Sequence, residues 1–148
     1  MDELRELYQE VILDHNKNPK NFRELEKATH SSEGYNPLCG DRVHVFLKVE
    51  DGRIADVGFT GSGCAISKAS ASVMTTEIKG KTVDESKELF KRFQKVITGD
   101  SAADASKLGK LAVFAGVREF PVRVKCAALA WHTLLAALEK KDDPISTE

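Results

Sequence analysis

The chain has 148 residues, of which 41% are hydrophobic and 30% charged, and its formal net charge is −1. One domain is the default at that length, with room for a real core that buries roughly two-thirds of the unfolded surface. The balanced charge carries neither the basic excess of a nucleic-acid binder nor an acidic block, and the longest mostly apolar stretch, Cys126 to Leu138, is broken by His132 and Thr133 and too short to span a bilayer.

The chain opens MDELRELYQE, an acidic amphipathic start that reads as neither secretory signal nor transit peptide, so a cytoplasmic location is expected. Leu4, Leu7, Tyr8, Val11 and Ile12 recur at helical spacing from Asp2 to His15, and Asn18-Pro19 ends the helix. Asn21 to Leu38 reads as irregular, with Gly34, Asn36 and Pro37 as breakers. Arg42 to Glu50 alternates, placing Val43, Val45, Leu47 and Val49 on one face of a half-buried strand. Asp51-Gly52 is a hairpin turn signal, and Arg53 to Thr60 is the return strand, with Ala55, Val57 and Phe59 on one face.

Gly61-Ser62-Gly63 bends the backbone before Cys64, where a helix begins that runs to about Lys79 and stops at Gly80. The small residues of that helix (Ala65, Ser67, Ala69, Ser70, Ala71, Ser72) permit close approach of another backbone. Thr82-Val83-Asp84-Glu85 is a capping box for a helix carrying Leu89, Phe90, Phe93, Val96 and Ile97. A polar loop from Gly99 to Ala105 leads to a short helix around Leu108, Leu111, Val113, Phe114 and Val117. Pro121 opens a last helix reaching about Lys140, and the tail is expected to fray from about residue 141. Without a repeating βαβ pattern, the order of elements predicts an α+β domain over residues 1–148, a small antiparallel β-sheet with helices packed on one face.

The cysteines number three, a count that does not suit a disulfide framework. Cys39 lies in a turn leading into a strand, Cys64 at a helix start, and Cys126 in the early turns of the last helix. Near helix N-termini, peptide N–H groups favour thiolate over thiol, and Arg123 and Lys125 stand close to Cys126 in sequence. Asp41 follows Cys39 by one residue, so in an extended segment both project to the same side. Three thiolates and a carboxylate form a ligand set that zinc accepts, and thiolate-rich sites also suit iron in sulfide-bridged clusters. The spacings, 25 residues from Cys39 to Cys64 and 62 more to Cys126, contain no CxxC. From the residues alone, a metal site and three unrelated buried thiols both stand open.

Four ordered motifs carry a resemblance. They are Leu7-Tyr8 through Ile12-Leu13-Asp14-His15 to Asn18-Pro19; Asn36-Pro37-Leu38-Cys39-Gly40-Asp41; Phe59-Thr60-Gly61-Ser62-Gly63-Cys64-Ala65-Ile66-Ser67 followed by Ala69-Ser70-Ala71-Ser72; and Pro121-Val122-Arg123-Val124-Lys125-Cys126-Ala127 followed by Leu129-Ala130-Trp131. Over nearly its whole length the chain resembles the U-type iron–sulfur cluster assembly scaffolds, the family of IscU, the NifU N-terminal domain and SufU. Lys125, where the IscU branch has a histidine, and an apparent insertion at about 99–116 make it most similar to the SufU-like branch. The resemblance implies metal ligation by Cys39, Asp41, Cys64 and Cys126; the positions of Lys125 and Arg123 beside Cys126 further suggest support for the site, Arg123 by pairing with Asp41 when metal is absent. It implies a zinc ion in the protein as isolated, and iron or a [2Fe–2S] cluster held transiently. It further implies sulfur acceptance on Cys39 from a pyridoxal-phosphate cysteine desulfurase and transfer of any cluster to apo iron–sulfur proteins or carrier proteins. The apolar stripes on the first and last helices could serve a core or an interface, which leaves monomer and weak homo-oligomer both open.

Two modes follow from that resemblance. In one, the chain is a scaffold and sulfur acceptor rather than a turnover enzyme. In the other, it is a zinc-dependent sulfurtransferase partner that activates the desulfurase without holding a cluster. A module with a purely structural zinc is a competing reading, as is a cysteine-dependent hydrolase or transferase, which requires a base beside the thiol. His15, His30, His44 and His132 are expected to serve packing or surface roles, and Trp131 to sit in the core.

Overall fold

The computed structural model describes the backbone over residues 2–37, 39–99, 105–139 and 145–146, and the side chains over 9–37, 39–99, 108–117 and 119–139. Helix α1 (Asp2–Lys17) is followed by strands β1 (His30–Asn36), β2 (Asp41–Glu50) and β3 (Arg53–Ser62). Then come helices α2 (Ala65–Ile78) and α3 (Val83–Ile97), a 3₁₀ stretch (Ala105–Glu119), helix α4 (Pro121–Leu138) and a two-residue strand β4 (Ile145–Ser146). The sheet order is β3-β2-β1-β4. Its three long strands are antiparallel, and β4 joins the β1 edge in parallel. Ile145 and Ser146, within the tail expected to fray, thus pair with Gly34 and Tyr35; residues 141–144 and 147–148 lie outside the described residues.

β1 corrects the expectation of an irregular stretch from Asn21 to Leu38. Its residues HSSEGYN are polar or small, so they lack the apolar alternation that marks a half-buried strand. The alternation is nevertheless there in the burial: Ser32, Gly34 and Asn36 point inward while Ser31 and Glu33 are exposed. The β2–β3 hairpin forms as expected, with both turn residues, Asp51 and Gly52, at positive φ. A register shift between Lys48 and Val49 leaves Ala55 without a partner. That bulge turns Ile54 into the core and Ala55 out to solvent, reversing the expected facing at that position.

The exposed edge of β3 is covered by its own chain. Phe59 N–H donates to the Asn21 carbonyl at 3.0 Å, and the Ile54 N–H to that of Lys81 at 2.8 Å. A paired edge of this kind cannot template association with another strand.

The helices lie over the inward face of the sheet. α4 packs across β1 and β2, α2 against β3 and α4, α1 on α2, and α3 on α4 and the 3₁₀ stretch. The Ala/Ser face of α2 allows the close approach to α4 expected of it: the Ser70 hydroxyl donates to the Ala127 carbonyl at 2.6 Å, among buried Ala69, Ala71, Ala128 and Ala130. Trp131 is fully buried, its ring 5.8 Å from Phe90 and 5.1 Å from Phe93 between centroids. Truncation of such a side chain costs about 3–5 kcal/mol. The Thr82–Glu85 capping box is formed in both directions. From Ala105 onward the region of the apparent insertion is wound as 3₁₀ turns kinked at Gly109 rather than as one short helix; residues 100–104, most of the expected polar loop, lie outside the described residues.

His15 ties α1 to α2. The Ser72 hydroxyl accepts the Lys20 N–H at 2.7 Å, which leaves its hydrogen for His15 Nδ1, also at 2.7 Å. That bond needs a neutral imidazole, and burial lowers the His15 pKa below its usual 6.5. A histidine held neutral in the fold costs nothing while the unfolded chain is also neutral. Its penalty grows as pH falls below the unfolded pKa toward the lower folded one. Urea denaturation between pH 7.5 and 5.5 is therefore expected to show falling stability, and His15→Gln a shallower fall that retains the share of His132, whose burial lowers its pKa likewise. Equal slopes in the two proteins would remove His15 from this account.

Candidate metal centre

The four expected ligand residues come from four separate elements. Asp41 is the first residue of β2, and Cys39 sits in the turn before it. Cys64 is the N-cap of α2, and Cys126 lies in the second turn of α4. The β1–β2 register sets Asn36 opposite Asp41, and the turn between them closes through the Cys39 N–H donating to the Asn36 carbonyl at 3.2 Å. Gly40 takes φ of 70° within that turn. Cys39 and Asp41 thus converge through a left-handed turn residue and not, as expected, through an extended segment, whose same-side projection is unnecessary here.

Ligand atoms of Cys39, Asp41 and Cys126 all lie within 4.8 Å of one another. Cys126 Sγ is 3.4 Å from Cys39 Sγ, and Cys64 Sγ is 4.0 Å from Asp41 Oδ2. A tetrahedral zinc site with bonds near 2.3 Å sets its sulfurs about 3.8 Å apart. The Cys39–Cys126 sulfur spacing is slightly under that value, so the Cys39, Asp41 and Cys126 group suits a metal ion in both chemistry and size, with Cys64 at its edge beside Asp41. No histidine belongs to this group. His15 faces Ser72, His44 stacks on Phe46 at 4.1 Å, and His132 meets the Phe90 ring edge-on at 5.0 Å.

Asp41 is only 1% exposed, and both its oxygens are engaged. Oδ1 accepts the Cys64 N–H at 2.8 Å, and Oδ2 accepts from the Asn36 amide at 3.2 Å. Buried carboxylates require such partners. Gly63 makes the first one possible. A Cβ there would overlap Asp41 Oδ1 and lie 2.9 Å from its Cγ, so only glycine lets the backbone pass this close.

The thiols are not equivalent. Cys64 is pulled down to about 6, chiefly by a hydrogen bond from Cys126 and then by the Ser67 N–H at the start of α2, against burial and the charge of Asp41. Cys126 is pushed up, because it donates to Cys64 and is buried. The expectation that both helix-start cysteines favour thiolate therefore holds for Cys64 alone. Cys126 is one turn too deep in α4 and fully enclosed. Of the two, Cys64 therefore gives up its proton first and Cys126 holds its own, with Cys126 Sγ also 3.4 Å from Cys39 Sγ.

Arg123 is exposed on α4, and its guanidinium is held further in the charged form by Cys64 first, then Cys126 and Cys39. Its influence falls on the sulfurs, while Asp41 takes its hydrogen bonds from Cys64 and Asn36 and not from the expected Arg123 pair. Lys125 is half-buried beside Cys126, and the described hydrogen bonds around the sulfurs run through Asn36, the Ser67 backbone and the cysteines themselves. Asn36, read from sequence only as a breaker within a motif, is the residue that sequence reasoning missed. Its inward register position in β1 was the available signal, hidden by the missed strand.

The NifU-like N-terminal domain family model matches residues 7–127. The chain is 43% identical to the iron–sulfur cluster assembly scaffold protein IscU of Thermotoga maritima, over 93% of this chain and 96% of that one. It is 39% identical to the zinc-dependent sulfurtransferase SufU of Bacillus subtilis, over 92% of each. Its fold superposes with a TM-score of 0.82 on a structure from Fervidobacterium islandicum AW-1 assigned as a SUF-system iron–sulfur scaffold, at 40% identity, covering 87% of this chain and 94% of that one. With the α+β fold and the four-element cysteine–aspartate cluster, these matches establish that the chain belongs to the NifU-like N-terminal domain family of IscU and SufU scaffolds.

Proposed function

We propose that this chain is an iron–sulfur cluster assembly protein that binds metal through Cys39, Asp41, Cys64 and Cys126 and accepts sulfur on Cys39. The observation that carries the reading is the convergence of Cys39, Asp41 and Cys126 at the spacing of a metal site, with Cys64 adjoining Asp41 from the start of α2. A zinc ion held there would keep the thiolates deprotonated until exchange; an iron–sulfur cluster would be cargo rather than a resident cofactor.

The residues divide the work by their surroundings. Cys126 and Asp41 are buried in α4 and β2 and form the fixed wall of the site. Cys39, on a turn, and Cys64 are both partly exposed and within a partner's reach, and of the two the family resemblance assigns sulfur acceptance to Cys39. The sulfur donor is a persulfide on a pyridoxal-phosphate cysteine desulfurase. The Cys39 thiolate attacks its terminal sulfur, a new S–S bond forms, and the donor cysteine leaves as thiolate. Arg123, exposed beside the sulfurs, offers positive potential for the anions that gather there. Recipients are apo iron–sulfur proteins or carriers.

A zinc-dependent sulfurtransferase mode is the second reading, supported by the 39% identity to a relative of that name and by Lys125 before Cys126. Elemental and acid-labile sulfide analysis of protein purified without added metal separates the two. About one zinc per chain without sulfide, lost in Cys39→Ala and Asp41→Ala, is expected for the sulfurtransferase mode. Iron with matching sulfide, enriched in Asp41→Ala, is expected for the scaffold. In either mode, desulfurase and cysteine should add 32 Da to wild type but not to Cys39→Ala, a shift of about one sulfur atom by the exchange chemistry. No metal in any preparation, even after anaerobic reconstitution, would end both readings.

Gly63→Ala offers a separate check on the Asp41 environment. The added methyl displaces the carboxylate, so zinc affinity in chelator competition is expected to fall by about 10–100-fold, the usual cost of misorienting a ligand. The circular dichroism spectrum should remain that of the folded chain. Unchanged affinity would mean Asp41 is not a ligand.

A further inference from the structure

Asn36 makes hydrogen bonds to three of the four proposed ligand residues. Its carbonyl accepts the Cys39 N–H at 3.2 Å. Its side-chain Nδ2 lies 3.2 Å from Asp41 Oδ2 and 3.3 Å from Cys126 Sγ. The residue is fully buried, and its Oδ1 has no hydrogen-bond partner. The orientation of the amide follows from its neighbours, since a carboxylate and a sulfur both call for the donor end.

The unpartnered oxygen is informative. A buried acceptor without a donor destabilises the fold, and an apolar residue at this position would avoid that penalty. An asparagine retained there serves something other than the stability of the sheet. Its two amide hydrogens point at ligands on β2 and α4, elements that nothing else in the described hydrogen bonds ties together at this spot. A lysine or arginine would bring a charge that competes with the metal for the same anions, whereas a neutral amide orients them without doing so.

Resting on the metal-site reading above, we infer that Asn36 is a positioning residue for the metal: its amide clamps Asp41 and Cys126 at one separation, while its carbonyl anchors the turn that carries Cys39. The metal then finds two ligands already set from opposite sides of the β1–α4 contact. The clamp does not touch the metal itself.

The test is zinc affinity by chelator competition, together with the visible spectrum of the cobalt(II) form, on Asn36→Leu and Asn36→Ala. Leucine keeps the number and branching of the side-chain heavy atoms, so it remains informative if the alanine variant is poorly folded. Ser32→Ala is the control: Ser32 is also buried, also unpartnered, and on the same face of β1. Expected is a 10–100-fold loss of zinc affinity and altered cobalt ligand-field bands in the Asn36 variants, with the circular dichroism spectrum of the metal-free protein still that of the folded chain. Ser32→Ala should bind as wild type does. Wild-type affinity and spectra in the Asn36 variants would overturn the inference, and so would an equal loss in Ser32→Ala, which would show general loosening of β1. A wild-type chain that binds neither metal would instead bring down the metal-site reading itself, a result distinguishable from the other two.

Discussion

A carboxylate almost sealed from water, at the first residue of a strand, constrains everything around it. Asp41 cannot be buried alone, so each oxygen must be met by a donor, and the donors come from different parts of the chain. The Cys64 N–H can reach Oδ1 only because the preceding residue is glycine. The Asn36 amide can reach Oδ2 only because β1 pairs with β2 in a register that sets the two residues opposite. Satisfying one carboxylate thus fixes the β1–β2 turn, the approach of the β3–α2 connection and the entry of α2. Cys39 and Cys64 are carried into place by those same segments, and Cys126 by α4. The sheet and α4 supply rigidity, and the site hangs on their ends.

The electrostatics of the metal-free site point the same way. One carboxylate and one thiolate lie close together, with the Cys126 proton between sulfurs. Arg123 offsets part of that charge from the exposed side. Such a group is poorly balanced without a cation. A metal held by these residues would take the place of the Cys126 proton and offset the excess charge, with proton release accompanying its binding. The buried pair, Asp41 and Cys126, and the partly exposed pair, Cys39 and Cys64, also differ in what a partner protein can touch. A site built half from wall and half from accessible turn suits ligand exchange better than one enclosed on all sides.

What the sequence made legible were features with strong local chemistry: the β2–β3 hairpin at Asp51-Gly52, the Thr82–Glu85 cap, the glycine stop of α2, the proline start of α4 and the tryptophan core. The four ligand candidates were legible as residue types in suggestive settings, and the family motifs picked them out. β1 was illegible because its buried face is serine, glycine and asparagine. Its inward residues serve the site and the tight passage of α4 more than a hydrophobic core. The facing of Ala55 was lost to a bulge, which no alternation pattern reveals. The state of Cys126 depends on one turn of helix depth, finer than a boundary read from Pro121 alone.

These misses share a cause. Periodicity reports where apolar surface is hidden, and a functional site hides polar surface instead. At β1 the strand pattern is written in residues that hydrogen-bond or make room, so a hydrophobic reading passes over it. The same substitution of polar for apolar leaves the Ser32 Oγ and Asn36 Oδ1 atoms unpartnered on one face of one strand. Of the two, only Asn36 reaches the ligands, through its amide and its carbonyl together. The strand hardest to see in the sequence is therefore the one whose inward face was shaped least by the core and most by the site it borders.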